Sequence, residues 1–409
     1  MNEKLAIVAI FILLYSMIAG RIERSIVSGP IVFVTAGFLF GPMGLGWFEG
    51  AAARSDLRML ADFTLALFLF IDASNADLST LKRNFAIPAR LLLLGLPGSI
   101  ILGFALALVM FNVLTVFEAA ILGTMLAATD AALGKPVVTN PAVPARMREG
   151  LNVESGLNDG LCVPVLLVFI ELALDTEVKG GNAAMATRFL VAELGVGLGV
   201  GLGLTGLAAA LLHICMKRGW VTGTWVQVSV IALALSCFEV AQVFHGSGYI
   251  AAFTGGLLFG SLARRSTHDM EISAEVVGDT LSLLTWLLFG IVVIGQVFGQ
   301  FTWQIFLYAL LSLTAVRMVP VFLALTGSGE SIQSKLFIGW FGPRGLASIV
   351  FAVIVLDEGL PGSQFIALVV ACTVFVSLIV HGVSANPLAR WVAEENQGQS
   401  QVPESHSGT

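Results

Sequence analysis

The chain is 409 residues long, 57% hydrophobic and only 12% charged, with a formal net charge of -6. Soluble chains carry about 25% charged residues, so this composition excludes a soluble globular protein and leaves a polytopic membrane protein. The net charge gives no reason to expect a nucleic-acid partner, because in a membrane protein the placement of charge matters more than its sum.

Taken in order, apolar runs long enough to span, allowing for tilt and interruption, fall near 4–20, 30–46, 57–72, 87–111, 115–131, 150–174, 189–216, 222–244, 247–262, 279–298, 302–325, 334–356 and 363–386. These thirteen runs predict an all-α protein of about thirteen transmembrane helices. The first run follows Lys4, as a signal peptide would, but no small-residue cleavage pattern comes after it, and it is read as a spanning helix. Residues 1–386 then form one membrane unit, and 387–409 form a short polar tail whose Ser, Gln and Glu content predicts disorder. The four cysteines, Cys162, Cys215, Cys237 and Cys372, fall singly within apolar runs and suggest neither a disulfide framework nor a metal motif.

An odd number of spans puts the termini on opposite sides. With the N-terminus outside, the inner side holds 14 of the Lys and Arg residues and the outer side 5, with Arg317 and Arg344 inside spans. The positive-inside rule therefore predicts a cytoplasmic C-terminus. An internal repeat is also visible. The segment 35–41, TAGFLFG, in the second span matches 254–260, TGGLLFG, in the ninth. The fifth span breaks at Thr129-Asp130 and the twelfth at Gly342-Pro343-Arg344-Gly345, again seven spans apart. An odd offset reverses direction across the membrane, so the pattern predicts an inverted repeat of spans 1–6 against 8–13, with two interrupted crossing helices.

The chain is organised around 126–167, where Thr129, Asp130, Glu154, Ser155, Asn158 and Asp159 lie within or beside two apolar runs. A carboxylate there is costly unless it is paired, hydrated or used. Glu154 and Asn158 are four apart, as are Ser155 and Asp159, which places all four on one helical face. With a helix start near Glu149, Asp159 lies roughly 15 Å deep, near the middle of a hydrocarbon core of about 30 Å. Such a carboxylate, with an amide beside it and a hydroxyl one turn back, suits the carriage of a proton or a small cation. The alternative is structural: Asp130 caps a helix end, and Glu154 and Asp159 satisfy partners in a polar bundle core. Arg317, near mid-depth in the eleventh span, needs a buried carboxylate, and Glu154 is the candidate. Arg344 can neutralise the carbonyl ends of broken helices or pair with Asp130.

The other polar residues carry less. Asp62, Glu193 and Glu239 are read as solvated or boundary positions. Asp72 and Asp77 are placed at a helix end beside Lys82 and Arg83, with Asp77 as an ordinary cap. His213, His245, His268 and His381 show no metal spacing. The glycine ladder 195–203 reads as close helix packing rather than a nucleotide loop.

In order along the chain, Ala128-Thr129-Asp130, VPARM at 143–147, ESGLNDG at 154–160, Arg317 and Gly342-Pro343-Arg344-Gly345 resemble the monovalent cation:proton antiporters, in the branch of NhaP-type Na+/H+ antiporters and Na+/H+ exchangers. The resemblance implies a secondary transporter of the cell membrane, not an enzyme, that exchanges Na+, or Li+, for H+. K+/H+ exchange is the alternative, ahead of a channel or an organic-solute transporter. It also implies a homodimer in membrane lipid, elevator-like movement of a six-helix core, and no cofactor. Asp159 would bind cation and proton alternately with Thr129 and Ser155 nearby. Asn158 and Asp130 would organise the site, and Glu154 would pair with Arg317. Two departures stand out. Ala131 occupies the place of a usual proline, so Gly134 and Pro136 are expected to make the first break, and Pro343 replaces a leucine in the arginine motif. With Asp159 the only titratable member of the Asn158-Asp159 pair, competition between the two ions predicts electroneutral 1:1 exchange.

Overall fold

Each predicted apolar run lies on a helix or on two helices in succession. The structure is a computed structural model that describes residues 2–22, 27–48, 52–75, 86–138, 140, 143–177, 183–221, 224–263, 268–294 and 297–400. Arg24, Asp77, Lys82, Arg83, Lys179, Arg264 and Arg265 lie outside them, as do residues 401–409. The first helices are α1 (Asn2–Ile22), α2 (Gly29–Phe40) and α3 (Ala52–Asn75), followed by α4 (Ala86–Met110). The fifth run becomes α5 (Val116–Met125) and α6 (Ala131–Val138). Then come α7 (Ala145–Glu177), α8 (Ala183–Lys217), α9 (Thr224–Val243), α10 (Gly248–Ala263) and α11 (His268–Phe289). The eleventh run is divided at Thr314 into α12 (Trp303–Leu313) and α13 (Ala315–Ala324). The twelfth is α14 (Ile332–Trp340) and α15 (Leu346–Asp357), and α16 (Ser363–Ser400) closes the described chain.

Local chemistry explains several of these boundaries. Thr115 caps α5 in a reciprocal box with Glu118: the Glu118 amide donates to Thr115 Oγ1 at 3.3 Å, and the Thr115 amide donates to Glu118 Oε2 at 2.9 Å. The second carboxylate oxygen of Glu118 accepts the Gly362 amide at 2.6 Å, which ties the start of α5 to the turn before α16. Within α4, Pro97 lacks the N–H that would bond residue 93, and the helix widens into a π turn over Leu91–Gly95. Where polar composition predicts disorder after 386, the backbone stays helical to Ser400. Ala385, Ala389 and Val392 repeat at helical spacing and bury against Phe337, Ile338 and Met147, so the apolar stripe outlasts the apolar run.

The helices pack in two groups. α4, α5, α7, α12, α13, α15 and α16 make one, with α6 and α14 set into it; α2, α3, α8, α9, α10 and α11 make the other. They meet along a seam where α7 and α15 lie against α3, and α7 also lies against α8 and α10. The two matching heptapeptides pack alike. A Cβ at Gly37 of α2 would strike the Leu287 carbonyl of α11, and one at Gly256 of α10 would strike the Phe70 carbonyl of α3. One turn on, Gly41 faces the Ile291 carbonyl and Gly260 the Ser74 carbonyl. The second span therefore sits on the tenth as the ninth sits on the third.

Candidate functional site

The centre of the first group is the crossing of two helix breaks. One lies between α5 and α6, the other between α14 and α15, and each supplies what the other lacks. The Asp130 amide donates to the Pro343 carbonyl at 2.8 Å. Asp130 Oδ1 accepts the Leu133 amide at 3.1 Å, the N-cap bond of α6, and Oδ2 accepts the Leu346 amide of α15 at 2.8 Å. One carboxylate thus serves the positive ends of two helices. Arg344 does the converse, with Nη1 donating to the carbonyls of Ala127 and Ala128 just past the end of α5 at 2.9 and 3.1 Å. Ser348 Oγ donates to the Met125 carbonyl at 2.8 Å. Gly134 and Pro136 do not make the first break, contrary to the sequence reading. Both lie inside α6, and the interruption precedes them because Asp130 caps a new helix there.

Against this crossing lies the polar face of α7. The helix begins at Ala145 rather than near Glu149, so Asp159 is fourteen residues from its start, about 21 Å along a helix of 33 residues and close to its middle. Asn158 Nδ2 donates to Thr129 Oγ1 at 2.5 Å, and the Thr129 amide faces Asn158 Oδ1 at 3.4 Å. Thr129 Oγ1 donates to Ser155 Oγ at 3.3 Å, and Ser155 Oγ donates to the Thr129 carbonyl at 3.1 Å. Asn158 Nδ2 also lies 3.3 Å from Glu154 Oε1. Arg317 of α13 donates through both Nη atoms to the two Glu154 oxygens, each at 2.9 Å, with the two side chains 0% and 1% exposed. This two-pronged geometry is what guanidinium and carboxylate adopt when both are removed from water.

Asp159 brings an open carboxylate oxygen to this network. Asp159 Oδ1 is buried and has no hydrogen-bond partner among the described residues, although the side chain as a whole is only half-buried. The charged groups around it are Asp130, Asp72, Glu154 and Arg344. Counting Arg317, the site holds four carboxylates against two guanidinium groups, an excess that favours a cation. A small cavity of about 20 Å³ lies among Asp130, Val137, Asn152, Ser155, Phe341 and Pro343. It meets the Ser155 and Asp130 side chains from the end of the bundle where α6 stops and α7 starts.

The structure brings Thr129, Asp130, Glu154, Ser155, Asn158, Asp159, Arg317 and Arg344 to one place. It treats other residues differently from the sequence reading. Asp72 sits in the last turns of α3 with its Cβ against Gly156 of α7, on the site rather than at a remote helix end. Its position in the final turn of an apolar run was the available signal. Asp62 has partners: Tyr249 Oη donates to its Oδ1 at 2.7 Å, and Arg58 Nε lies 3.5 Å from Oδ2. Arg58 also pairs with Asp357 at the end of α15, across the seam. Glu239 is exposed and Glu193 half-buried. Of the glycine ladder, Gly197 and Gly201 face the Ser247 and Ala251 carbonyls beside or on α10, whereas nothing lies near Gly195, Gly199 or Gly203. Two residues that carry no sequence signal beyond burial, Ser377 and His381 of α16, bond to the second break.

Residues 6–391 match the family described as sodium/hydrogen exchanger, transmembrane. The chain is 24% identical over 396 residues to the K+/H+ antiporter NhaP of Alkalimonas amylolytica, covering 96% of this chain and 67% of that protein. It is 24% identical to the K+/H+ antiporter NhaP2 of Shewanella baltica strain OS223, covering 70% of this chain and 49% of the relative, so the match spans about half the length of that protein. It is 26% identical over 274 residues to the Na+/H+ antiporter NhaH of Halobacillus dabanensis, covering 65% of this chain and 66% of that one. Its fold matches the solved structure of the sodium proton antiporter MjNhaP1 from Methanocaldococcus jannaschii at pH 8, with a TM-score of 0.76, 23% identity, and 96% and 100% of the two chains covered.

Proposed function

This chain belongs to the sodium/hydrogen exchanger family of monovalent cation:proton antiporters, which are secondary transporters and not enzymes, and on that premise we propose that it exchanges a monovalent cation for H+ across a cell membrane. The observation that carries the reading is Asp159, whose buried Oδ1 lacks a partner among the described residues, beside Asn158, Thr129, Glu154 and Arg317, which are bonded to one another. A cation or a proton supplies what that oxygen lacks. Thr129 and Ser155 offer further oxygens, and Asn158 and Asp130 hold the two helices that present them. Asn158 cannot titrate, so one carboxylate serves both ions. Each loaded form then has the same charge, and exchange is electroneutral and 1:1.

The same reading takes the helices as thirteen spans in one transport unit, with the C-terminus cytoplasmic by the 14-against-5 distribution of basic residues. The matched packing of Gly37 and Gly256 supports the inverted repeat. The two packed groups support movement of one against the other along the seam, within a homodimer. The cavity beside Asp130 and Ser155 is then the cytoplasmic access path. Na+ is the first candidate cation, with Li+ alongside it. K+ is the second, favoured by the likeness to proteins named K+/H+ antiporters.

The test is cation-induced dissipation of an imposed pH gradient in proteoliposomes, with Na+, Li+ and K+ compared in wild type and Asp159→Asn. Wild type responds to at least one cation, and the variant falls to the level of protein-free vesicles while remaining folded. An active Asp159→Asn protein would remove the central carboxylate from the mechanism.

A further inference from the structure

We propose that His381 is a positioning residue for the cation site, acting through Ser377 as a clamp across the break between α14 and α15; the transport part of this inference rests on the function proposed above. His381 lies on α16, is 2% exposed, and has no part in the ion-binding network. Its Nε2 is 3.0 Å from the Trp340 carbonyl, the last of α14. Nδ1 lies 3.1 Å from both the Ser377 Oγ, one turn back, and the Ser377 carbonyl. With the ring proton on Nε2, the ring donates to the Trp340 carbonyl and Nδ1 accepts from the Ser377 hydroxyl. Ser377 Oγ in turn accepts the Arg344 amide at 2.7 Å, on the other lip of the break. In that tautomer the bonds form one directed relay: Arg344 amide to Ser377 hydroxyl, Ser377 hydroxyl to His381 Nδ1, and His381 Nε2 to Trp340 carbonyl. Serine and histidine of one helix thereby fix both lips of a break in another. A second bond, Trp340 Nε1 to Ser384 Oγ at 2.9 Å, holds the same end of α14.

The relay matters because Arg344 is otherwise loosely determined. Arg344 Nε and Nη2 have no partner among the described residues, and Nη1 alone reaches the Ala127 and Ala128 carbonyls. Where the guanidinium sits therefore follows from where its backbone is held. Its two carbonyl contacts immediately precede Thr129, whose carbonyl and hydroxyl bond Ser155. Loosening the clamp displaces the oxygens that face the ion while leaving Asp159 in place, so it weakens cation binding more than it slows turnover.

The experiment uses the full chain in proteoliposomes for transport and in detergent for hydrogen exchange, with His381→Ala, His381→Gln and Ser377→Ala. His381→Ala and Ser377→Ala should raise the apparent KM for the cation by roughly fivefold, the scale of one net hydrogen bond, with kcat changed less than about twofold. The double variant should be no worse than the worse single one, because both act on one relay. His381→Gln should return KM to within about twofold of wild type, since its amide can still donate to Trp340. Amides of 341, 342 and 344–346 should exchange roughly tenfold faster in His381→Ala and Ser377→Ala and near wild type in His381→Gln. Unchanged KM and unchanged exchange would overturn the proposal, as would a parallel fall in kcat without rescue by glutamine. If His381→Ala does not fold, Ser377→Ala, which removes only a hydroxyl, carries the same comparison with His381→Gln. If wild type exchanges no cation, the function proposed above fails, and the hydrogen-exchange arm still decides whether the clamp exists.

Discussion

Asn158 and Asp159 are adjacent on α7 and have opposite surroundings. The amide of Asn158 is committed to Thr129 and Glu154, and one oxygen of Asp159 has no partner among the described residues. If electroneutrality comes from having one titratable group, Asn158→Asp places a second carboxylate against Glu154. The rate of that variant should then depend on an imposed membrane potential, where wild type does not. A potential-independent Asn158→Asp would count against the one-carboxylate mechanism. Glu154 and Arg317 make a different point. Each is buried and is the other's charge partner, so Glu154→Gln should cost about 3–5 kcal/mol by leaving a guanidinium without its counter-charge. Replacing both, as Glu154→Leu with Arg317→Met, should be milder than either single change in thermal unfolding. A double variant as unstable as the sum of the singles would show that the two act separately.

At the scale of elements, two interrupted helices complete one another. Their four broken ends expose amides and carbonyls that hydrocarbon cannot satisfy, which is why such breaks persist only when crossed or capped. Asp130 is the shared cap. Asp130→Ala removes bonds at the starts of both α6 and α15, for about 0.5–2 kcal/mol per cap. Asp130→Asn keeps one acceptor oxygen and should fall between Ala and wild type, both in melting temperature and in transport. If Asn and Ala behaved alike, the shared cap would not be what Asp130 contributes. The local signals at this break were partly misleading. Gly134 and Pro136 look like helix breakers, yet α6 contains both, and the break precedes them because the Asp130 N-cap fixes where the helix begins.

At the scale of the molecule, the alternating-access reading proposed above puts the movement at the seam between the two packed groups. Arg58 of α3 bridges it to Asp357 of α15, at the end of the bundle opposite the cavity, and Asp62, itself bonded by the Tyr249 hydroxyl, holds Arg58 from its own side. A surface pair of this exposure contributes little stability, but its position makes it a reporter of movement. Joining Arg58→Cys to Asp357→Cys with a short reducible bifunctional thiol reagent should stop exchange, and reduction should restore it, with wild type treated alongside. Full activity in the joined protein would mean that the groups do not move there.

Composition and period were enough to read this chain as a helical membrane protein and to place Glu154, Ser155, Asn158 and Asp159 on one face, because hydropathy and the 3.6-residue repeat are local properties of adjacent residues. The partnership of Arg317 with Glu154 was legible too, since a buried guanidinium leaves few choices. What the local pattern cannot encode is which face meets which. That Asp130 caps α15 across 216 residues, that Asp72 rests on Gly156, that Arg58 reaches Asp357, and that Ser377 and His381 grip a distant break were decided by tertiary packing alone. The position of Asp159 along α7 was also decided there. Helix α7 begins four residues earlier than its polar content suggests, because Val143 and Met147 find a buried apolar cluster at that end of the bundle.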